Sequence, residues 1–116
     1  MTNESGRKKE LQSQYKEREV VGGVYLLRNT QTRKIFLDAT VDLQGAKNRF
    51  AFAQSTGSCV YVKLQQDWAR LGGDRFAFET LEEVRKKGEQ TREGFKEDVE
   101  LLKDIWLEQL SNEEFY

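Results

Sequence analysis

The sequence predicts an α+β domain in which helices flank a three-stranded antiparallel sheet. Two apolar runs, GVYLLRN from Gly23 and KIFLDAT from Lys34, are separated by the polar TQTR, a pattern typical of a strand, a turn and a second strand. A third run, RFAFETLEEV from Arg75, alternates apolar and polar residues, as a strand with one buried face does. Elsewhere, apolar residues recur every three or four positions, which predicts helices.

The chain begins with a polar segment that the pattern separates from the domain. Residues 1–20 are predicted to form a polar tail, loose over 1–6 and with a short helix over 7–18. Only Leu11 and Tyr15 are spaced to share a face of that helix. Residues 21–116 are predicted to form one domain.

Three helices are predicted within the domain. The first spans 42–54, with Thr40 or Asp42 as its cap, and the second lies in VYVKLQQDWARLGG before Gly72 and Gly73. The third runs from Phe95 to Leu110, after the charged connector RKKGEQTREG. The predicted inward residues of the three helices are Leu43, Ala46, Phe50 and Ala53; Val60, Leu64, Trp68 and Leu71; and Phe95, Val99, Leu102, Trp106 and Leu110.

The predicted order is therefore strand, strand, helix, helix, strand, helix, with no internal repeat. We expect Tyr25, Phe36, Phe78 and Trp106 to bring the sheet and the last helix together in one core. An arrangement of helices layered against an antiparallel sheet is an α+β architecture.

Composition argues against a membrane-spanning protein, an internally disulfide-bonded protein and an enzyme that uses histidine as its general base. The 116 residues suffice for one domain, and the formal net charge of −1 gives no overall attraction to nucleic acid or to an anionic membrane. The absence of histidine removes the commonest general base. Because Cys59 is the only cysteine and no apolar run is long enough for a signal or membrane segment, we expect a cytoplasmic protein without an internal disulfide.

Single residues allow both structural and functional interpretations. Tyr25 suits a packed strand tyrosine as well as a catalytic one, and Gly22 and Gly23 suit a turn or a close backbone approach. Cys59 has no histidine partner and fits an incidental buried thiol. Basic residues on or near the hairpin and the next two elements either form a phosphate-facing patch or are scattered solvated charges. This basic set comprises Arg28, Arg33, Lys34, Lys47, Arg49 and Lys63.

The order of several short motifs resembles that of the GIY-YIG nuclease family. GVY at Gly23 is followed at the family's spacing by FLD at Phe36. Further along the chain, LQQDW from Leu64, FAFETLEE from Phe76 and LLKDIWLEQL from Leu101 are similar to a bacterial, small single-domain branch of that family. The resemblance covers most of residues 22–110.

The resemblance implies a small domain that cleaves a phosphodiester bond with one divalent metal ion. In the site that the resemblance implies, a tyrosine helps to activate water, a second tyrosine and an arginine or histidine on the following helix assist, and a glutamate on a later helix binds the metal. Metal and guanidinium charges stabilise the negative charge that develops on the phosphate oxygens. Tyr25 takes the place of the first catalytic tyrosine.

Most of the other family positions carry different residues here. Alignment with the motifs places Phe36 at the second tyrosine, Asp38 at the motif glycine, Ala46 and Phe50 at the arginine and histidine positions, and Lys103 at the metal-binding glutamate. An ammonium group cannot bind Mg²⁺, because it has no lone pair and carries the same sign of charge. Arg49 is the candidate substitute cation. We further hypothesise that the Lys103 ammonium pairs with Asp38.

The residues leave three functions open. The first is a catalytically impaired GIY-YIG-like domain that retains nucleic-acid binding, with DNA as the possible partner and no cofactor. The second is an active nuclease that binds Mg²⁺ near Tyr25 through Glu100 or Asp104. The third is a protein-interaction module with an exposed apolar patch around Phe36 and Phe50; the sequence does not identify its partner.

Overall fold

The computed structural model describes residues 19–116, so the predicted tail over 1–6 and helix over 7–18 lie outside the described residues. The strands are β1 (Val21–Asn29), β2 (Ile35–Thr40) and β3 (Phe76–Arg85). The α-helices are α1 (Leu43–Thr56), α2 (Gln65–Leu71) and α3 (Arg92–Gln109). Short 3₁₀ turns at Val62–Leu64 and Gly73–Arg75 flank α2. The α+β class and the predicted order of elements are confirmed.

The sheet is antiparallel throughout and has the strand order β2-β1-β3. The central strand is β1, and its residues Val24 to Leu27 are buried on both faces of the sheet. Tyr25 lies opposite Asp38 in β2 and opposite Thr80 in β3. A bulge beside Tyr25 leaves one extra residue in β3, which increases the local twist where Tyr25 faces the helices.

Two apolar clusters lie on opposite faces of the sheet, so the expectation of one core was wrong. Tyr25, Phe36 and Phe78 pack with α1 and α2 in the first cluster. Trp106 packs from α3 in the second cluster, against Val24 and other residues of the opposite face. The error has a simple cause, because successive side chains of a strand point to opposite faces.

Side-chain caps fix the ends of two helices. Asp42 accepts a hydrogen bond from the Gly45 amide at 3.0 Å at the start of α1, and Thr91 accepts one from the Gly94 amide at 3.0 Å at the start of α3. Gly57 ends α1 with a left-handed φ of 76°. These caps satisfy amides that have no partner within the helix.

The second predicted helix begins later than the sequence pattern indicated. Residues before Gln65 form an extended stretch and a 3₁₀ turn, and Val60 is 53% exposed. Tyr61 is buried in place of Val60. The apolar pattern did not locate the start of this helix correctly. Either Val60 or Tyr61 can point inward, depending on whether the backbone there is helical or extended.

The final residues cover part of the outer edge of β2. The Ile35 amide donates to the Glu114 carbonyl, and the Tyr116 amide donates to the Ile35 carbonyl, each at 2.9 Å. The resulting bridge between Ile35 and Phe115 is parallel. The Tyr116 hydroxyl donates to Asp67 at 2.8 Å, and the fully buried Asn29 amide donates to that hydroxyl at 2.8 Å. These contacts fix the last residues to the hairpin and to α2.

No helix in the described part of the chain combines the length and apolar character needed to cross a membrane.

Candidate functional site

Tyr25 occupies the centre of the sheet and faces the first apolar cluster. Its side chain is 3% exposed, and its ring stacks on Phe78 with centroids 4.7 Å apart. The hydroxyl donates to Asp38 Oδ2 at 3.4 Å. Burial and then the Asp38 carboxylate raise the pKa of Tyr25, while the Arg49 guanidinium acts against the shift. The phenol is therefore protonated at neutral pH and is a hydrogen-bond donor.

Asp38 also contacts Lys103. Lys103 reaches from α3 to the edge strand, where its Nζ lies 3.6 Å from Asp38 Oδ1. The same carboxylate oxygen accepts a hydrogen bond from the Ala39 amide at 2.8 Å. The contact hypothesised from the two family substitutions is thus present, and Asp38 connects the Tyr25 hydroxyl to an ammonium group.

The other residues that the sequence analysis aligned with the family motifs lie in an apolar environment. Ala46 and Phe50 are buried, and Phe36 packs partly buried against the first cluster. The Phe50 ring lies 5.9 Å from the Phe78 ring and 6.0 Å from the Trp68 ring. Aromatic packing therefore fills the space beneath Tyr25. Because Phe50 is buried, the exposed patch expected around Phe36 and Phe50 is not formed.

The structure separates the predicted basic residues into two kinds. Arg28 is held by Glu79, with Nε 2.6 Å from Oε2, and this hydrogen bond is the main cause of its raised pKa. Lys34 lies over the Tyr116 ring, 5.1 Å from its centroid. The remaining four, Arg33, Lys47, Arg49 and Lys63, are exposed and form no ion pair with any residue between 19 and 116.

A cavity of about 250 Å³ lies along the outer edge of β2, beside the Asp38–Lys103 pair. Lys63 lines it from the 3₁₀ turn, and Phe36 and Tyr116 provide aromatic walls. The cavity thus presents two ammonium groups and one carboxylate, an arrangement that can accept an anionic group.

Tyr61 is a site residue that the sequence analysis missed. Burial raises the pKa of Tyr61, and the Arg49 guanidinium acts against this rise. The Tyr61 ring lies 6.0 Å from the Phe36 ring. The sequence did show an aromatic residue two positions after Cys59, but the helical pattern favoured Val60 as the inward residue. Tyr61 and Tyr25 place two phenols within the electrostatic influence of Arg49.

The residues around Tyr25 do not fit a divalent metal site. Between residues 19 and 116 there is no group of three or more histidine, cysteine, aspartate or glutamate side chains placed to share an ion. Lys103 puts a positive charge beside Asp38, which opposes cation binding. Glu100 and Asp104, the proposed substitute ligands, line a different cavity on the outer side of α3.

The Asp38–Lys103 pair is expected to show measurable coupling. Both side chains are about one third exposed, so the pair should contribute about 0.2 to 1 kcal/mol in a double-mutant cycle of Asp38→Asn and Lys103→Gln. Lys103→Glu should cost more than Lys103→Gln, since it places two carboxylates together. Urea unfolding of the four proteins and of the Lys103→Glu variant measures both effects, and strictly additive changes would show that the contact has no energetic role.

Two solved structures share the fold of this chain. A structure of the catalytic domain of homing endonuclease I-TevI has 22% sequence identity, covers 81% of this chain and 96% of its own, and gives a TM-score of 0.58. A mutant catalytic domain of intron endonuclease I-TevI has 21% identity, covers 78% and 84%, and gives a TM-score of 0.57. No protein-family model and no curated protein matches the sequence. The described part of the chain thus has the fold of a GIY-YIG endonuclease catalytic domain, as the order of its motifs predicted.

Proposed function

We propose that this chain is a catalytically impaired nuclease-fold domain that binds nucleic acid without a divalent metal ion. The observation that carries the proposal is the Lys103 ammonium, 3.6 Å from Asp38 at the position aligned with the family's metal-binding glutamate. A fixed ammonium supplies positive charge for a phosphate oxygen but cannot activate a metal-bound water. Binding therefore persists where cleavage is lost.

The distribution of exposed cations supports a phosphate-binding surface next to Tyr25. The Arg49 guanidinium opposes the rise in the pKa of both the Tyr25 and the Tyr61 hydroxyl. Lys63 lines the cavity beside the Asp38–Lys103 pair. Arg28 is not included in this surface, because Glu79 already occupies its guanidinium.

The expected catalytic result is no cleavage above background. Branched, single-stranded and duplex DNA are incubated with the full chain in Mg²⁺ or Mn²⁺, beside Tyr25→Phe. Without a carboxylate in place of Lys103, neither ion should support turnover. A metal-dependent cleavage rate that Tyr25→Phe abolishes would favour the active-nuclease alternative instead.

The expected binding result is affinity that depends on monovalent salt but is equal in EDTA and in Mg²⁺ at matched ionic strength. Replacing Arg49 and Lys63 together by glutamine should weaken binding to labelled oligonucleotides and reduce the slope of log K against log salt by about 1 for each lost contact. Fluorescence anisotropy over a salt series measures both quantities.

The matched control replaces two other exposed lysines, Lys87 and Lys96, by glutamine. These residues lie in the loop after β3 and on α3, so the control removes the same net charge at other places on the surface. An equal loss of affinity in both double variants would mean that only net charge matters. The absence of any salt-dependent binding by the parent chain would contradict the proposed function.

A further inference from the structure

The stretch from residue 43 to residue 66 carries no carboxylate side chain. The chain has 20 aspartates and glutamates among its 116 residues, yet none of them falls in this stretch. The charged side chains here are all cations, namely Lys47, Arg49 and Lys63. The two bordering carboxylates are already engaged, because Asp42 caps α1 and Asp67 pairs with Arg70. The exposed side chains of residues 43–66, called here the carboxylate-free surface, therefore attract phosphate groups.

The carboxylate-free surface lies on the Tyr25 side of the sheet. The buried residues of the same stretch, among them Phe50 and Tyr61, pack with Tyr25 in the first cluster. All three cations are exposed, and the other exposed polar side chains of the stretch are amides and hydroxyls. This surface thus includes Arg49 and Lys63 of the proposed phosphate-binding surface and extends it along α1.

Phe52 places an aromatic ring on the carboxylate-free surface. It is 66% exposed, whereas the other aromatic side chains between residues 19 and 116 are buried or half-buried. Arg49 precedes it by three positions on α1, so the two side chains lie about one turn apart on the same side of the helix. A single exposed apolar residue needs no explanation. An exposed ring beside a guanidinium, on a surface without carboxylates, has the composition of a site that stacks a nucleobase and holds phosphates.

We infer that the carboxylate-free surface binds single-stranded nucleic acid, with the Phe52 ring stacked on an unpaired base and Arg49 contacting a neighbouring phosphate. The inference rests on the proposed function and specifies the class of nucleic acid that this surface takes. The strand is single because the bases of a duplex stack on one another, and a side chain reaches their faces only by unstacking them. Every base has a flat face, so the contact tolerates any sequence.

The test compares strands with and without bases on the full chain. Fluorescence anisotropy measures binding of a labelled oligothymidine, of an abasic strand of equal length and of a duplex of equal length. Phe52→Ala should weaken oligothymidine binding about 5- to 150-fold, because the stacking of one base is lost, and should leave binding to the abasic strand and the duplex unchanged. The slope of log K against log salt should stay the same, since no ionic contact is removed.

Two further variants serve as controls. Phe52→Trp retains an aromatic face at the same position and should keep the parent's affinity for oligothymidine. Leu101→Ala removes a side chain of α3 that is 61% exposed. It should leave all three affinities at the parent's values, which separates stacking from a general effect of exposed apolar surface.

The outcomes distinguish this inference from the proposed function. Salt-dependent binding that needs Arg49 and Lys63 but is unchanged in Phe52→Ala would overturn the inference and leave the proposed function in place. An equal loss for the oligothymidine and the abasic strand would also overturn it, since Phe52 would then contact no base. If the parent chain bound none of the three probes, the proposed function would be contradicted, and this inference with it.

Discussion

Gly23→Ala is expected to prevent the chain from folding. Gly23 has a φ of 154°, which side chains rarely adopt, and it lies in the central strand. A Cβ there would overlap the Glu82 carbonyl oxygen and lie 3.1 Å from Glu83 Cα in β3. Both neighbours are backbone, so relief requires β1 and β3 to separate. The cost should exceed about 4 kcal/mol, comparable with the whole stability of a small domain.

Amide dispersion in a nuclear magnetic resonance spectrum and a urea titration measure this effect. Gly88→Ala is the matched control, since no atom lies within 4 Å of a Cβ at Gly88, and its stability should stay within about 0.5 kcal/mol of the parent. A Gly23→Ala chain with the parent's urea midpoint would show that β3 does not approach β1 as described.

Phe95→Ala should produce the other large loss of stability. The Phe95 side chain is 1% exposed and is among the largest fully buried side chains. It lies against the start of β1, where a Cβ at Gly22 would meet its ring at 2.9 Å. Removing the ring leaves a cavity between α3 and β1, and such deletions cost about 3 to 5 kcal/mol.

The same deletion on the surface provides the comparison. Phe52 lies on α1 and is 66% exposed, so Phe52→Ala should change the free energy of unfolding by less than about 1 kcal/mol. Urea or thermal unfolding of both variants gives the difference directly. Equal losses from Phe95→Ala and Phe52→Ala would mean that α3 is not packed on the sheet as the structure has it.

The sequence predicted the elements well wherever local pattern decides the structure. The hairpin turn at TQTR and the alternating strand from Phe76 were predicted in place, and the first helix, predicted over 42–54, spans Leu43–Thr56. Local information failed at Val60 and Tyr61, where extended backbone replaces a helix turn. It also failed for the two clusters, because the face that each aromatic ring occupies depends on strand pairing.

Long-range contacts account for most of what the sequence did not reveal about the site. The contact between Asp38 and Lys103 was hypothesised from the sequence only because both residues differ from those expected at the aligned positions of the family motifs. The contacts among Asn29, Asp67 and Tyr116 join residues 38 to 87 positions apart, and no local pattern marks them. The burial of Phe50 and the ion pair of Arg28 with Glu79 likewise depend on the assembled fold.

The bridge between Ile35 and Phe115 has a consequence for aggregation. An uncovered edge strand offers unpaired backbone groups to any neighbouring chain, and β2 is such an edge in the order β2-β1-β3. The Ile35 groups are occupied by Glu114 and Tyr116, and the Ala39 amide is occupied by the Asp38 carboxylate. The Asp38 carboxylate therefore also blocks a position where a foreign strand could pair, and makes the domain less prone to form intermolecular β-sheet.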